Sequence, residues 1–317
     1  MLERNIRKQY EEDEYMGKKT KIALAIAAAS AAVWAGTKAV AKPQKREVKN
    51  TLDFERPVVL GRHGGGSLAP EHSMIGFELA AEHGLDGFKV DVRLTKDEEI
   101  VLFHDESLER VANFIGNIKD LTLAELKEFN IGEYFVDAEG EKPYADEHVS
   151  IVTLRELLTQ YPNKLIYIDI KDHPDTYEGS LMPSKLWRLM EELDQYENVI
   201  VTSNYNEQLD RFNLYAQNRV VLGASEAELT KAYTTFTSQF GHLYTPKADV
   251  FTVPSKSSVM NFEAPKFVQF LTDLNCAIFY TDANDLVTMN RYVTAGAKGI
   301  ITDRPDIAQV LLNNLND

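Results

Sequence analysis

Three short blocks decide the fold of this chain: Gly61-Arg62-His63-Gly64-Gly65-Gly66, Phe88-Lys89-Val90-Asp91-Val92 and Phe103-His104-Asp105. Each block joins an apolar run to polar groups, as happens where a strand ends in a functional loop. A segment with helical periodicity, 74–83, separates the first two apolar runs. The blocks therefore predict neighbouring strands whose ends meet at one site.

The alternation of short apolar runs and helix-period segments continues to the C-terminus. The first two strands are expected at 58–60 and 88–92. The later ones are expected at 165–170, 199–202, 220–222, 250–253, 277–280 and 299–302. Eight parallel strands joined by right-handed crossovers close into a barrel. We therefore predict an α/β fold, a (β/α)8 TIM barrel.

One connection interrupts this alternation after the second strand. The run 100–103 follows after only five polar residues, too few for a parallel crossover, so we expect an antiparallel hairpin arm that carries His104 toward the barrel mouth. The segment 106–150 is then an insertion, with capping-box patterns at 122–125 and 153–156. Residues 132–148 are expected to form an exposed loop that walls the site.

Composition excludes some classes of protein. The chain of 317 residues carries a net charge of -15 at pH 7, and 44% of its residues are hydrophobic. Such an acidic chain disfavours nucleic acid as a partner, because binding to a phosphate backbone depends on clustered Lys and Arg. A small anionic substrate remains compatible if a local positive pocket receives it. The single cysteine, Cys276, can form no intramolecular disulfide.

The N-terminus differs from the rest of the chain. An apolar run at 22–36 is preceded by lysines and followed by the small residues 39–41, which is typical of a signal peptide. An uncleaved membrane anchor competes, because Lys38 can snorkel if the run extends to residue 41. The protein is then secreted or membrane-anchored, outside the cytoplasm. The predicted regions are a basic segment 1–21, the signal or anchor 22–41, a linker 42–56 and the barrel 57–317.

Polar residues at the predicted strand ends make up a candidate site. They are Arg62 and His63 after the first strand, Asp91 on the second, and Asp169 and Lys171 on the third barrel strand. Two carboxylates aimed at one cavity suit a hard cation, Mg²⁺ or Ca²⁺, and imidazoles transfer protons near neutral pH. Lys171 can neutralise phosphate charge. The site therefore predicts chemistry on a phosphate ester.

The glycine run that begins at Gly64 has two interpretations. Its backbone N–H groups can cradle a phosphate, or the run can serve a turn that needs positive φ. The other histidines lack ligand spacing and are expected at the surface or as capping residues. These are His72, His83, His148, His173 and His242.

Six ordered blocks resemble the glycerophosphodiester phosphodiesterase family over about 57–312. They are 68–71, 91–97, 103–105, 120–126, 168–171 and 299–305. The resemblance implies a TIM barrel that hydrolyses glycerophosphodiesters to glycerol 3-phosphate and an alcohol, with a divalent cation and two histidines as acid and base. It implies His104 as a catalytic histidine, Asp91 and Asp169 as metal ligands, and Lys171 on the phosphate. Tyr280 replaces a family tryptophan and either lines the glycerol side or packs in the barrel.

Two positions depart from the family pattern. Arg62 stands where the family has its first catalytic histidine, and His63 stands where it has the next arginine. Because successive side chains of an extended segment point to opposite faces, this order aims Arg62 into the cavity and His63 away, unless a local bulge re-aims them. Lys89 replaces the first metal-binding glutamate with an ammonium. Glu71 can compensate as a metal ligand, or it can hydrogen-bond the glycine-rich turn.

Two hypotheses follow. The first is a glycerophosphodiester phosphodiesterase that acts on a small anionic phosphodiester, with His63, His104 and Arg62 as the catalytic candidates. The alternative is a catalytically impaired relative, in which Lys89, Lys171 and Arg62 form a positive pocket for a phosphorylated ligand, or an interaction module. The sequence leaves open whether this chain is an enzyme, because the departures fall on the reacting groups.

Overall fold

The computed structural model describes residues 20, 30, 32–137, 139–254 and 260–316. It divides into two compact units. The larger unit spans residues 45–233 and 246–317 and carries the candidate site. The smaller unit combines the segment up to residue 44 with residues 234–245.

The larger unit is built on parallel strands that form a nearly closed barrel. The strands are β1 (Val58–Arg62), β2 (Gly87–Leu94), β3 (Ile100–Leu102), β4 (Leu165–Ile170), β5 (Val199–Ser203), β6 (Val221–Leu222), β7 (Val250–Val253), β8 (Ala277–Tyr280) and β9 (Gly299–Thr302). Their order is β6-β5-β4-β2-β1-β9-β8-β7, with β3 paired to β2 alone. A parallel bridge between Gly223 and Val250 joins the two ends. The predicted TIM barrel is confirmed.

Helices connect the parallel strands, as the predicted alternation requires. They are α1 (Met74–Glu82), α2 (Glu109–Ala112), α3 (Leu123–Leu126), α4 (Leu154–Gln160), α5 (Tyr177–Leu193), α6 (Asn206–Ala216), α7 (Glu226–Thr237), α8 (Pro265–Asp273), α9 (Leu286–Ala295) and α10 (Pro305–Asn316). The helix α7, between β6 and β7, was expected only from the alternation, and its buried residues are only Glu228, Leu229 and Ala232. So small an apolar face gives a weak periodic signal.

The connection after β2 is a hairpin, as expected. β3 pairs antiparallel with β2, and Leu102 lies opposite Val92. Both predicted capping boxes are present, with Thr122 and Thr153 as the N-caps of α3 and α4. The short connection therefore folds back and delivers His104 next to β2.

The segment that contains the predicted loop 132–148 makes apolar contacts at both of its ends. Ile131 and Val149 are 5% and 4% exposed and join a cluster with Val101 and Phe103 of the hairpin arm. The backbone N–H of Ile131 donates to the carbonyl oxygen of Val149 at 2.9 Å. The insertion thus has a small core of its own.

Alternate residues of the strands fill the barrel interior. One buried apolar cluster comprises Val58, Leu60, Leu165, Tyr167, Ile200, Val221, Val250, Ala277, Phe279 and Ile301. Side chains two positions apart on a strand share a face. Arg62 follows Leu60, and Asp169 follows Tyr167, in this interior row. The polar site therefore lies on top of the apolar core, at the C-terminal ends of the strands.

The segment from Lys45 to Arg56, predicted as linker, packs on the opposite end of the barrel. Arg46 Nε and Lys49 Nζ lie 2.6 and 2.7 Å from the carboxylate of Asp249, which directly precedes β7. Lys49 also donates to the carbonyl oxygen of Val220 at 2.6 Å. The compact unit therefore includes residues from Lys45 onward, twelve positions before the predicted domain start at Pro57.

The smaller unit contains a helix at residues 32–40. Trp34 Nε1 donates to the carbonyl oxygen of Gln239, and Thr37 Oγ1 lies 2.9 Å from His242 Nε2. Within the described part of the chain, no helix combines the length and hydropathy that crossing a bilayer requires. Residues 22–29 and 31 of the predicted signal or anchor lie outside the described residues.

Candidate active site

Strand register brings the predicted site residues together. Arg62 at the end of β1 lies opposite Lys89 of β2, and Asp91 of β2 lies opposite Asp169 of β4. Lys171 follows Asp169 by two positions and shares its face. The sequence therefore placed these five side chains correctly at one end of the barrel.

The two lysines and the two aspartates form a ring of alternating charge. Lys89 Nζ lies 2.7 Å from Asp91 Oδ1 and 3.2 Å from Asp169 Oδ2. Lys171 Nζ lies 2.9 Å from the same Asp169 oxygen and 3.4 Å from the same Asp91 oxygen. Each of these two oxygens thus contacts both ammonium groups. The four formal charges sum to zero.

Two members of the ring, Asp91 and Lys89, stay ionised although they are buried. Burial alone would raise the pKa of Asp91, but the ammonium of Lys89 and the imidazole of His63 hold that pKa well below its usual range. Burial would lower the pKa of Lys89, and the carboxylates of Asp169 and Asp91 raise it above its ordinary value. Both groups therefore carry their charge at neutral pH.

A left-handed turn resolves the reversed order of Arg62 and His63. His63 has φ of 52°, so the chain leaves its extended path directly after β1. Arg62 lines the cavity and lies 3.5 and 3.8 Å from Asp303 and Asp282. His63 turns toward Asp91, with Nε2 2.8 Å from Oδ2 but without the alignment of a hydrogen bond. The re-aiming that the sequence required is present, and both side chains reach the site.

His104 is the most accessible imidazole of this group. Its side chain is 42% exposed, whereas that of His63 is 7% exposed. His104 Nδ1 lies 2.7 Å from Asp105 Oδ1, and its ring centroid lies 5.7 Å from that of His63. Because Asp105 accepts the Nδ1 proton, Nε2 is the nitrogen left free to exchange a proton with a substrate.

Two arginines that the sequence analysis did not single out hold His104 in place. Arg93 Nε and Nη2 donate to the backbone carbonyl of His104 at 3.1 and 2.9 Å. Arg110, from the insertion, donates through Nε to Asp105 Oδ2 at 2.6 Å. No sequence motif marks Arg110, because its partners come from separate loops.

Glu71 does not contact the ring of lysines and aspartates. This position differs from the expectation that Glu71 compensates as a metal ligand. Both of its carboxylate oxygens accept hydrogen bonds from Arg110. Oε2 also lies 3.9 Å from His63 Nδ1. Arg110 therefore draws Glu71 toward Asp105 and away from both proposed roles, as cation ligand and as partner of the glycine turn.

His72 was expected at the surface, and this expectation is wrong. It is 1% exposed and stacks on His63 with ring centroids 4.2 Å apart. Its Nε2 accepts the backbone N–H of Asp91 at 3.1 Å. Burial and the neighbouring His63 lower its pKa well below the usual range, so it is neutral. The only sequence signal was its place beside the Pro70-Glu71 block.

The glycine run forms a turn with positive φ. Gly64 and Gly65 have φ of 85° and 88°, and a Cβ on Gly65 would lie 2.3 Å from the Pro305 ring. The N–H groups of Gly65 and Gly66 both donate to the carbonyl oxygen of Arg62. These two donors are therefore engaged within the turn, and phosphate binding at Gly64 stays a prediction.

Tyr280 packs in the barrel and does not line the cavity. It is 0% exposed, stacks on Tyr292 at 4.3 Å and donates its hydroxyl to the carbonyl oxygen of Phe262. The cavity wall beyond β8 is formed instead by Thr281 and Asp282. Of the two interpretations of Tyr280, packing is the correct one.

The cavity above the ring has a volume of about 610 Å³. Its lining includes the cations of Arg62 and Lys89, the carboxylates of Asp169, Glu226 and Asp282, and apolar side chains such as Leu229 and Phe262. It is large enough for a small organic phosphodiester. Arg62 and Lys89 can contact the phosphate of such a molecule, and the apolar side chains can contact its organic part.

The ring-facing oxygens of Asp91 and Asp169 do not fit a hard divalent cation, although the second oxygen of each carboxylate, Asp91 Oδ2 and Asp169 Oδ1, has no hydrogen-bond partner among the described residues. Mg²⁺ and Ca²⁺ require about six or more oxygen ligands, and both ring-facing oxygens already contact two ammonium groups. One other cluster, His63, His72 and Asp91, has ligand atoms within 4.8 Å of one another and could hold a metal ion. Its nitrogen-rich donors suit a transition metal better. However, the Nε2 lone pair of His72 is already used by the Asp91 N–H.

Comparison with known proteins supplies a family. Residues 63–307 match the profile of the glycerophosphoryl diester phosphodiesterase family. A glycerophosphodiester phosphodiesterase of Caldanaerobacter subterraneus is 29% identical over 253 residues, which cover 79% of this chain and 96% of that protein. A protein of the same name from Bacillus subtilis is 26% identical over 265 residues, 81% of this chain and 87% of its own.

Solved structures share the fold. The glycerophosphoryl diester phosphodiesterase domain of a Mycobacterium tuberculosis protein superposes with a TM-score of 0.71 at 15% identity, covering 81% of this chain and all of that domain. A phosphodiesterase of Oleispira antarctica, solved with the product sn-glycerol-3-phosphate, superposes with a TM-score of 0.61 at 19% identity, covering 83% and 98%. These likenesses concern the barrel.

Proposed function

Because the chain belongs to the glycerophosphoryl diester phosphodiesterase family, we propose that it hydrolyses glycerophosphodiesters to glycerol 3-phosphate and an alcohol. The observation that carries this proposal is that an exposed, carboxylate-oriented imidazole, His104, lies at the same end of the barrel as the cavity lined by Arg62 and Lys89. The names of the relatives support a hydrolase over a binding module.

Arg62, Lys89 and Lys171 bind the phosphodiester in this proposal. Hydrolysis builds negative charge on the phosphoryl oxygens, and fixed cations in a poorly hydrated cavity stabilise that charge without reorganising. The Arg62 guanidinium is held only at 3.5 and 3.8 Å by Asp303 and Asp282, so it has donors to spare. Arginine stays protonated and takes no part in proton transfer.

His104 moves the proton. Hydrolysis removes a proton from the attacking group and delivers one to the leaving oxygen, and an imidazole performs either task near neutral pH. Asp105 fixes the ring so that Nε2 faces outward, and Arg110 fixes Asp105. His63 is buried between Asp91 and His72, so its role is to hold Asp91 in the ring.

The alternative, an impaired relative that only binds a phosphorylated ligand, receives less support. It would require the departures at Arg62 and Lys89 to remove the reacting groups. The exposed imidazole of His104 is retained, and Arg62 reaches the cavity through the turn at His63.

We further propose that the enzyme acts outside the cytoplasm. This rests on the sequence of the apolar segment 22–41 alone, of which residues 22–29 and 31 lie outside the described part of the chain. Fusion of the full chain to a phosphatase that is active only after export tests it. Phosphatase activity supports the proposal, and a silent fusion that is expressed at full length contradicts it.

The reaction is tested by release of glycerol 3-phosphate from glycerophosphocholine and glycerophosphoglycerol by the full chain. We expect turnover, and we expect His104→Ala to lower kcat by about 100-fold or more, in the range of a lost acid–base group. His83→Ala is the matched control, because His83 is half-buried outside the site and its ring contacts Gln309 in a solvent-exposed hydrogen bond. A folded protein without release, or a His104→Ala variant with the wild-type rate, would refute the proposal.

A further inference from the structure

We infer that Lys89, together with Lys171, takes the place of a divalent cation, so that the site binds its phosphodiester through ammonium groups and works without Mg²⁺ or Ca²⁺. The identity of the bound substrate in this inference rests on the proposed function. The claim that no divalent cation binds is argued only from the ring of lysines and aspartates.

The first argument is that the Lys89 and Lys171 ammonium groups already occupy the space between the Asp91 and Asp169 carboxylates. A divalent cation would have to bridge Asp91 and Asp169, and the Lys89 ammonium already does so at 2.7 and 3.2 Å. Lys171 contacts the same two oxygens from a second direction. A cation could enter only by expelling ammonium groups whose stems emerge from buried strands.

The second argument is charge. Two carboxylates that face a cavity without cations would attract a metal ion strongly, since burial makes unpaired charge costly. Here two lysines compensate them fully. A dication added to this neutral ring would meet two ammonium groups within a few ångströms, and this repulsion opposes binding.

The third argument is the donor capacity that remains. An ammonium has three N–H groups, and each lysine of the ring has two carboxylate partners. One N–H of Lys89 is therefore left for the cavity that its side chain lines. A monoanionic phosphodiester that binds there contacts Lys89 and Arg62 together. These two residues lie side by side because they are register partners on β1 and β2.

The test begins with metal binding by the full chain, independent of activity. Purified protein is analysed for Mg, Ca, Mn and Zn by mass spectrometry and titrated calorimetrically with Mg²⁺, Ca²⁺ and Mn²⁺. We expect no stoichiometric metal and no binding in the wild type. Lys89→Glu supplies a third carboxylate and is expected to bind one divalent ion. Lys266→Glu, the same charge change on the exposed start of α8, is expected to bind none.

The second part measures the anion with glycerol 3-phosphate as the probe, in EDTA. We expect the wild type to bind it and Lys89→Met to bind it about tenfold or more weakly, the loss of one charged hydrogen bond. Circular dichroism verifies that each variant is folded, and the wild-type titrations decide the metal question even if a variant is not.

Specific outcomes would overturn the inference. They are stoichiometric divalent metal in the wild type, turnover that EDTA abolishes and Mg²⁺ or Ca²⁺ restores, or unchanged affinity for glycerol 3-phosphate in folded Lys89→Met. A wild type that binds no metal and releases no glycerol 3-phosphate would refute the proposed function. It would leave intact the inference that the site holds no divalent cation. The two failures are thus distinguishable.

Discussion

Asp105→Asn tests whether the carboxylate beside His104 contributes to catalysis. The substitution keeps the size of the side chain and removes its charge. In the structure Asp105 Oδ1 lies 2.7 Å from His104 Nδ1, and Oδ2 accepts from Arg110. An asparagine can present its amide oxygen to only one of these two donors, so either the imidazole or the guanidinium loses a partner.

The magnitude follows from the exposure of the pair. A hydrogen bond to a charged group contributes about 1.5–3 kcal/mol. The two side chains are 42% and 27% exposed, so solvent screening reduces this to about 1–2 kcal/mol. Since about 1.4 kcal/mol corresponds to a factor of ten, kcat/KM is expected to fall roughly 5- to 30-fold.

The assay is glycerol 3-phosphate release from glycerophosphocholine at pH 7, with kcat and KM determined separately. We expect the loss mainly in kcat, because the carboxylate does not touch the substrate. Asp175→Asn is the matched control, since Asp175 is 79% exposed in a loop outside this network. If Asp105→Asn retains kcat within twofold of the wild type, the orienting role assigned to Asp105 is wrong.

Three further outcomes follow from the fold. Asp249→Ala removes the buried acceptor of Arg46 and Lys49 and is expected to lower the free energy of unfolding by about 3 kcal/mol in urea titrations; a change below 1 kcal/mol would mean that the segment is not docked. Burial raises the pKa of Asp172 to about 6, so the folded state binds this proton more tightly. Stability should therefore fall as pH rises from about 4 to 6, by up to about 3 kcal/mol relative to Asp172→Asn, and equal pH profiles of the two proteins would contradict this. Gly65→Ala, which places a methyl against a proline ring at positive φ, is expected to lower stability by roughly 3 kcal/mol, whereas Gly84→Ala, with open space around it, should cost about 1 kcal/mol.

The barrel could be predicted because its signals are local. Parallel strands buried on both faces give continuous apolar runs such as Leu165–Ile170, and these stand out between amphipathic helices. The hairpin arm followed from a connection too short for a crossover. Arg62, His63, Asp91, Asp169 and Lys171 followed from their positions at strand ends, whereas Lys89 was identified only through the family resemblance.

Other features depend on contacts between distant segments, which periodicity does not report. Glu71 was interpreted as a possible metal ligand, but it pairs with Arg110 of the insertion. His72 was expected at the surface, but its ring stacks on that of His63. Arg46 was interpreted as part of a linker because it is charged. Its sequence context does not indicate that it pairs with the buried carboxylate of Asp249. In each case a partner far away in sequence decides the role of the residue.

The most direct test of the account is a crystal structure of the protein grown with glycerol 3-phosphate and Mn²⁺, an ion that anomalous scattering identifies. The account predicts a phosphate within hydrogen-bonding distance of Lys89 Nζ and Arg62, with His104 facing it and no manganese between Asp91 and Asp169. A manganese ion bound by those two aspartates, with Lys89 displaced from them, would contradict it.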